Sequence, residues 1–175
     1  MKKRILSLLI LLSAATATMA YNSILAKLVK TDYEGKADSL TKVFIKEFMN
    51  TSKGTFWVTP RGVNSSNTYI YWQQAHAIDV VVYAYQRNLA AGNKTQANLY
   101  KNYVSKWFQN KGNNYSGGST GFENPYTDDM CWIALTLQRM GEVFNNNTYF
   151  STAKRLFDNG IMSRAKEDEK GLWLP

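Results

Sequence analysis

The chain has thirteen carboxylates, few enough to weigh one by one, and the most suggestive pair is adjacent. Asp128 and Asp129 stand in Gly121-Phe122-Glu123-Asn124-Pro125-Tyr126-Thr127-Asp128-Asp129-Met130-Cys131-Trp132. Glycoside hydrolysis needs two carboxyl groups about one sugar bond, ~5–5.5 Å apart for retention and farther for inversion. Neighbouring residues in a first helical turn diverge by roughly 100°, so two such carboxylates can spread around a single ring. Like charge at that range pushes one of the two pKa values up, as a general acid requires. A plainer role stays open, because acids in a first turn also favour the macrodipole and the free N–H groups there. The setting favours chemistry: a Gly-rich loop, Tyr126 before the pair, Trp132 after it, and few other charges.

A second stripe is Gln73, His76 and Asp79 at helical intervals within Trp72-Gln73-Gln74-Ala75-His76-Ala77-Ile78-Asp79. A histidine held by an aspartate one turn away can orient a substrate; the competing account is a satisfied core histidine. Sugars stack their apolar faces on aromatic rings, so Trp57, Tyr69 and Tyr115, which fall in long polar connections, are further platforms. Cys131, among Met and Trp with no base nearby, reads as a small core residue. Asp38, Glu47, Glu142, Asp158 and the run Glu167 to Glu169 read as solvated or helix-terminal charges.

These residues must be positioned by helices. Ala37, Leu40, Phe44 and Phe48 recur at helical spacing behind a Thr31–Glu34 capping box. Trp72, Ala75, Ile78, Val82, Tyr85 and Leu89 share a face in the segment 71–91, stopped by Gly92. A third helix covers 95–110 with Leu99, Tyr103 or Val104, Trp107 and Phe108 inward. Thr127 is the expected N-cap of a fourth, carrying Met130, Ile133, Ala134 and Leu137 and ending at Gly141. A fifth covers 149–163 with Ala153, Leu156, Phe157 and Ile161 inside. One short strand near Phe56-Trp57-Val58 is the only strand signal, so the fold class is all-α. The connections 51–68 and 111–126 are long and rich in Gly, Asn and Ser, and such loops tend to carry function. Helical hairpins with long loops at one end suggest a toroid of paired helices, which five helices do not close.

The ends and composition bound the rest. Lys2-Lys3-Arg4, the apolar run Ile5 to Leu12 and Ala15-Thr16-Ala17 make residues 1–20 a secretory signal peptide. The run is far short of the ~20 residues that span a bilayer, so no stable membrane insertion is expected and the product is secreted or periplasmic. Without those three basic residues, eighteen remain against thirteen acids, and no basic cluster survives to bind nucleic acid. A single histidine and a single cysteine imply no metal centre and no internal disulfide. Lys166 to Lys170 reads as a solvated turn, yet Gly171-Leu172-Trp173-Leu174-Pro175 follows, so the chain is expected to be part of a longer domain.

The block Tyr126-Thr127-Asp128-Asp129-Met130-Cys131-Trp132, preceded by Trp72 to Val82, resembles glycoside hydrolase family 76, the α-1,6-mannanases built on an (α/α)6 toroid. The resemblance covers residues 21–175 and about the first half of the family's domain. It implies an exported, retaining, endo-acting hydrolase of α-1,6-linked mannan, with Asp128 as nucleophile and Asp129 as general acid/base. The substrate-binding set around them is then Tyr126, Trp132, His76, Gln73, Tyr115 and Trp57, with no cofactor, and the complete domain is expected to be a monomer. Many relatives carry a second tyrosine where this chain has Thr127. Two alternatives stay open: a glycan-remodelling transglycosidase, and a non-catalytic carbohydrate-binding helical protein.

Overall fold

A computed structural model describes residues 33–61, 71–114 and 116–164, with the backbone of Lys166–Asp168 and Gly171–Trp173. The signal segment, the Thr31 cap, Tyr69 and Tyr115 lie outside the described residues. The described chain is mostly helical. Helix α1 covers residues 33–48, followed by a hairpin of β1 (Met49–Asn50) and β2 (Thr55–Phe56). Then come α2 (Tyr71–Ala90), α3 (Lys94–Gln109), α4 (Thr127–Phe144) and α5 (Asn147–Arg155). A boundary between two compact units falls inside α1, at Leu40/Thr41, and the core and candidate site lie in the second, Thr41–Pro175.

Within that unit α2 is central, packing on α3 and on α4, while α4 also packs on α5. The core joins Ile78, Val81 and Val82 of α2 to Tyr100, Val104 and Trp107 of α3, and to Met130, Ile133, Leu137 and Met140 of α4. Several helices expose a residue expected inside. In α1 the buried positions of the second unit are Thr41, Ile45 and, just beyond, Met49, while Leu40 is 71% exposed and Phe44 and Phe48 are half-buried. The rotation follows from the hairpin, which returns Phe56 beneath Phe44 with ring centroids 5.2 Å apart. Trp72 and Leu89 of α2 and Leu99 of α3 also face outward. Their places are taken by Tyr71, Gln74, Asn88, Ala97 and Tyr100.

The hairpin is fastened to α2 and α3 by polar groups. Buried Gln74 accepts from the Phe56 N–H (3.0 Å) and donates to the Phe56 carbonyl (2.8 Å), completing the strand edge. Lys106 donates to the Thr51 carbonyl and Asn110 to the Lys53 carbonyl, both at 2.9 Å. Gly54 closes the turn at φ +74, and a Cβ there would lie 2.5 Å from the Trp107 amide nitrogen and 2.6 Å from the Tyr103 carbonyl oxygen. Both neighbours are backbone and cannot yield. Gly54→Ala is expected to lower unfolding free energy by about 1–3 kcal/mol, read as an earlier urea midpoint.

Other boundaries are corrected as well. Thr127 is the first helical residue of α4 and the cap position is Tyr126, which makes no side-chain cap bond. Helix α4 runs past Gly141 to Phe144 and ends at left-handed Asn145. Gly141 is a contact position: a Cβ would meet the Phe150 ring at 2.7 Å. The fifth helix does not continue regularly to Ser163. It widens into a π-turn at Leu156–Ile161 and tightens to a 3₁₀ turn at Met162–Arg164. The wide turn shifts the periodicity, so Leu156 and Ile161 stay buried while Phe157 is exposed. The expected solvated turn at 166–170 is in part a strand, β3 (Lys166–Asp168) pairing antiparallel with β4 (Gly171–Trp173). Among the described residues no helix is long and apolar enough to cross a membrane.

Candidate active site

The loop 111–126 delivers the aspartate pair to the start of α4, and one buried ring anchors it. Phe122 is fully buried, with centroids 5.6 Å from Trp107 and 5.7 Å from Phe108. Its carbonyl accepts from the Tyr71 hydroxyl at 2.6 Å. Burial first, and then the charges of Asp129 and Glu123, push that hydroxyl far above its ordinary value, so Tyr71 remains a donor. Asn114 spans the loop, giving its amide to the carbonyls of Gly121 (3.0 Å) and Glu123 (2.8 Å). Gly117 and Glu123 form an antiparallel bridge around the turn between them.

Glu123 belongs to this scaffold. Its carboxylate accepts from the Ser119 hydroxyl (2.8 Å) and the Thr120 N–H (3.1 Å). Burial alone would raise its pKa, but those hydrogen bonds outweigh it and hold the group below its ordinary value. Gly118, at φ +66, lies against that carboxylate, and a Cβ there would be 2.1 Å from Oε2.

The two aspartates are in unlike environments. Asp128 is exposed. Asp129 is only 9% exposed, and its Oδ2 accepts from the Asn124 amide at 3.2 Å. Its carboxyl is pushed above the ordinary value: burial raises it, the Asn124 hydrogen bond opposes, and the neighbouring Asp128 charge raises it again. Asn124 is itself buried, and it also accepts from the Tyr126 N–H (2.9 Å) and, through its carbonyl, from Arg164 (2.7 Å). An open polar cleft of about 580 Å³ lies beside it, lined by Ser116, Gly118, Glu123, Asn124, Pro125 and Arg164.

Asp128 and Trp132 are four residues apart and share a helix face. Beside that face is an aromatic trio. The His76 ring lies 5.6 Å from Trp72 in an edge-on arrangement and 4.7 Å from Trp132. Trp72 and Trp132 are 43% and 45% exposed, and His76 is exposed too. His76 is therefore neither a core histidine nor held by Asp79. Asp79 instead pairs with Arg139 of α4, whose guanidinium also lies 5.5 Å from the Tyr83 ring centre. Gln73 of the same stripe is half-buried, and among the described residues its amide oxygen is buried without a hydrogen-bond partner.

The fold thus brings Asp128, Asp129 and Tyr126 together at one helix start, with Trp132, His76 and Trp72 along the adjoining faces. Trp57 is half-buried, with the Arg61 guanidinium 4.9 Å from its ring centre. Cys131 is half-buried, its thiol raised by burial and by the Asp128 charge. Sequence reasoning missed Tyr71, Asn114, Asn124 and Arg164. Asn124-Pro125 carried a local signal, since Asn before Pro favours a side chain folded onto backbone two residues on; Arg164 carried none. Compared with known protein-family models the chain matches none, and a comparison with curated proteins finds no similar sequence.

Proposed function

We propose that the chain is part of an exported, retaining glycoside hydrolase acting on α-1,6-linked mannan, on a helical toroid of the family 76 kind. The observation that carries this reading is the contrast within the pair: exposed Asp128 beside enclosed Asp129, whose carboxyl is raised. Two adjacent carboxyl groups in unlike surroundings suit the division of labour that retaining hydrolysis requires. In the reaction the Asp128 carboxylate attacks the anomeric carbon as the glycosidic C–O bond breaks, and Asp129 gives its proton to the departing oxygen. Asp129 then takes a proton from water, whose oxygen displaces Asp128 and restores the original configuration.

The toroid has its own support. Two helical hairpins, α2–α3 and α4–α5, pack against each other through their first helices, α2 on α4. Between α4 and α5 lies an apolar groove of about 510 Å³ lined by Cys131, Ala134, Leu135, Phe150 and Phe157, among others. A further helical hairpin packed there would bury it, as toroid geometry requires. Secretion through residues 1–20 and a monomeric complete domain belong to the same reading.

The test is reducing-end release from linear α-1,6-mannan, with this chain and the gene's complete translation product assayed side by side. Release from this mannan, and none from an α-1,4-glucan, is the expected result. No release by either protein overturns the reading. A second reading, carbohydrate binding without turnover, is favoured by the exposed trio Trp72, His76 and Trp132. Trp132→Ala is expected to weaken mannan binding about three- to tenfold, measured by affinity electrophoresis. Under the binding-only reading Asp128→Asn leaves both that affinity and a zero rate unchanged.

A further inference from the structure

We propose that Asn124 is a positioning residue that selects which oxygen of Asp129 carries the proton, with Arg164 as its brace. The inference rests on the hydrolase reading above for its catalytic meaning, but its geometry stands apart from it. The orientation of the Asn124 amide is fixed by its partners. A backbone N–H, that of Tyr126, needs an acceptor, so Oδ1 must face it at 2.9 Å. Nδ2 is then the atom that faces Asp129 Oδ2 at 3.2 Å, and it can only donate.

A donor on Oδ2 holds that oxygen as the acceptor in both protonation states of Asp129. When the carboxyl is neutral its proton therefore sits on Oδ1, and the acid has one defined direction of delivery. The same hydrogen bond opposes the rise caused by burial, so the carboxyl is kept from becoming too weak an acid to use. The brace comes from far along the chain. Arg164, which follows the π-turn, donates Nη1 to the Asn124 carbonyl at 2.7 Å across forty positions of sequence. Through that bond the loop that aims Asp129 is tied to the end of the α4–α5 hairpin. The other ionisable groups in the network about Asp129 are Asp128 on its own helix, Tyr71 from α2 and Glu123 from the loop, with Arg164 one residue removed.

Two substitutions isolate the donor. Asn124→Ser keeps a side-chain acceptor for the Tyr126 N–H but cannot reach Asp129, and it leaves the carbonyl bond to Arg164 in place. Asn124→Asp keeps size and acceptor while exchanging the donor for like charge. The readout is the Asp129 carboxyl titration followed by carbon NMR, with Asp129→Asn identifying the resonance. Loss of the donor removes stabilisation of the charged form, so Asn124→Ser is expected to raise the Asp129 pKa by about one unit. Asn124→Asp is expected to raise it further. In the complete product the alkaline limb of the kcat profile should move up by the same amount, with KM nearly unchanged. An Asp129 titration that stays put in both variants, or moves down, overturns the proposal, even if both variants are less stable. If the titration moves as expected while the unmodified protein releases no sugar, the clamp stands and the hydrolase reading alone is lost.

Discussion

If the chain acts as the proposed hydrolase, Asp128→Asn and Asp129→Asn are each expected to lower kcat on α-1,6-mannan by about 10³-fold or more, because one would remove the nucleophile and the other the proton donor. The two variants differ in what else they change. Asp129 is enclosed and its carboxyl is raised, so in the native state it holds its proton to higher pH than in the unfolded chain. A raised carboxyl gives stability that is complete below the unfolded value and lost as pH climbs through the folded one. Above its folded value the charged Asp129 is therefore a burden on the fold, and Asp129→Asn removes it while keeping an acceptor for Asn124. The inactive variant should melt at or above the unmodified protein at pH 7, with the difference closing below the ordinary carboxylate range. Asp128→Asn, at an exposed position, should leave the melting temperature nearly unchanged. A variant that loses turnover by unfolding would show in the same scan, so the scan separates lost chemistry from lost structure.

Trp107→Ala is expected to cost about 3–5 kcal/mol of unfolding free energy, a large part of what a domain of this size has. Trp107 is fully buried and both long connections rest on it. Gly54 of the hairpin abuts its backbone and Gly112 abuts its ring, where a Cβ would lie 2.8 Å away. Phe122, which anchors the loop bearing the aspartates, packs tilted against the same ring. Truncation should shift the urea midpoint strongly and loosen the loop before the helices, seen as early loss of amide protection at 116–124. Leu99→Ala on the same helix, where the side chain is 41% exposed, should stay within about 0.5 kcal/mol. Equal losses at both positions would mean that the helix face has been misassigned.

Much of this organisation was legible in the residues, and the misses share causes. Helices were readable from spacing and from stops such as Gly92, and the aspartate pair does open α4. Faces were harder, because large apolar residues occupy two adjoining stripes of α1, α2 and α3. Spacing alone cannot say which stripe the core takes, and in α1 the hairpin's Phe56 decided it. Phe157 was misplaced because the π-turn adds a residue to the cycle, which a regular period cannot anticipate. For Asp79 the nearest partner in sequence was His76, but the partner in space is Arg139, sixty residues on. The Arg164–Asn124 bond is of the same kind: local patterns supply the pair of acids, and tertiary closure supplies what aims them.

In the proposed hydrolase two adjacent aspartates perform a double displacement at the start of α4. Proton NMR of the first product released from linear α-1,6-mannan, recorded before mutarotation, tests it most directly. The α-anomer is expected first, and Asp128→Asn and Asp129→Asn are each expected to abolish it. A first-formed β-anomer, or undiminished release by either variant, would contradict it.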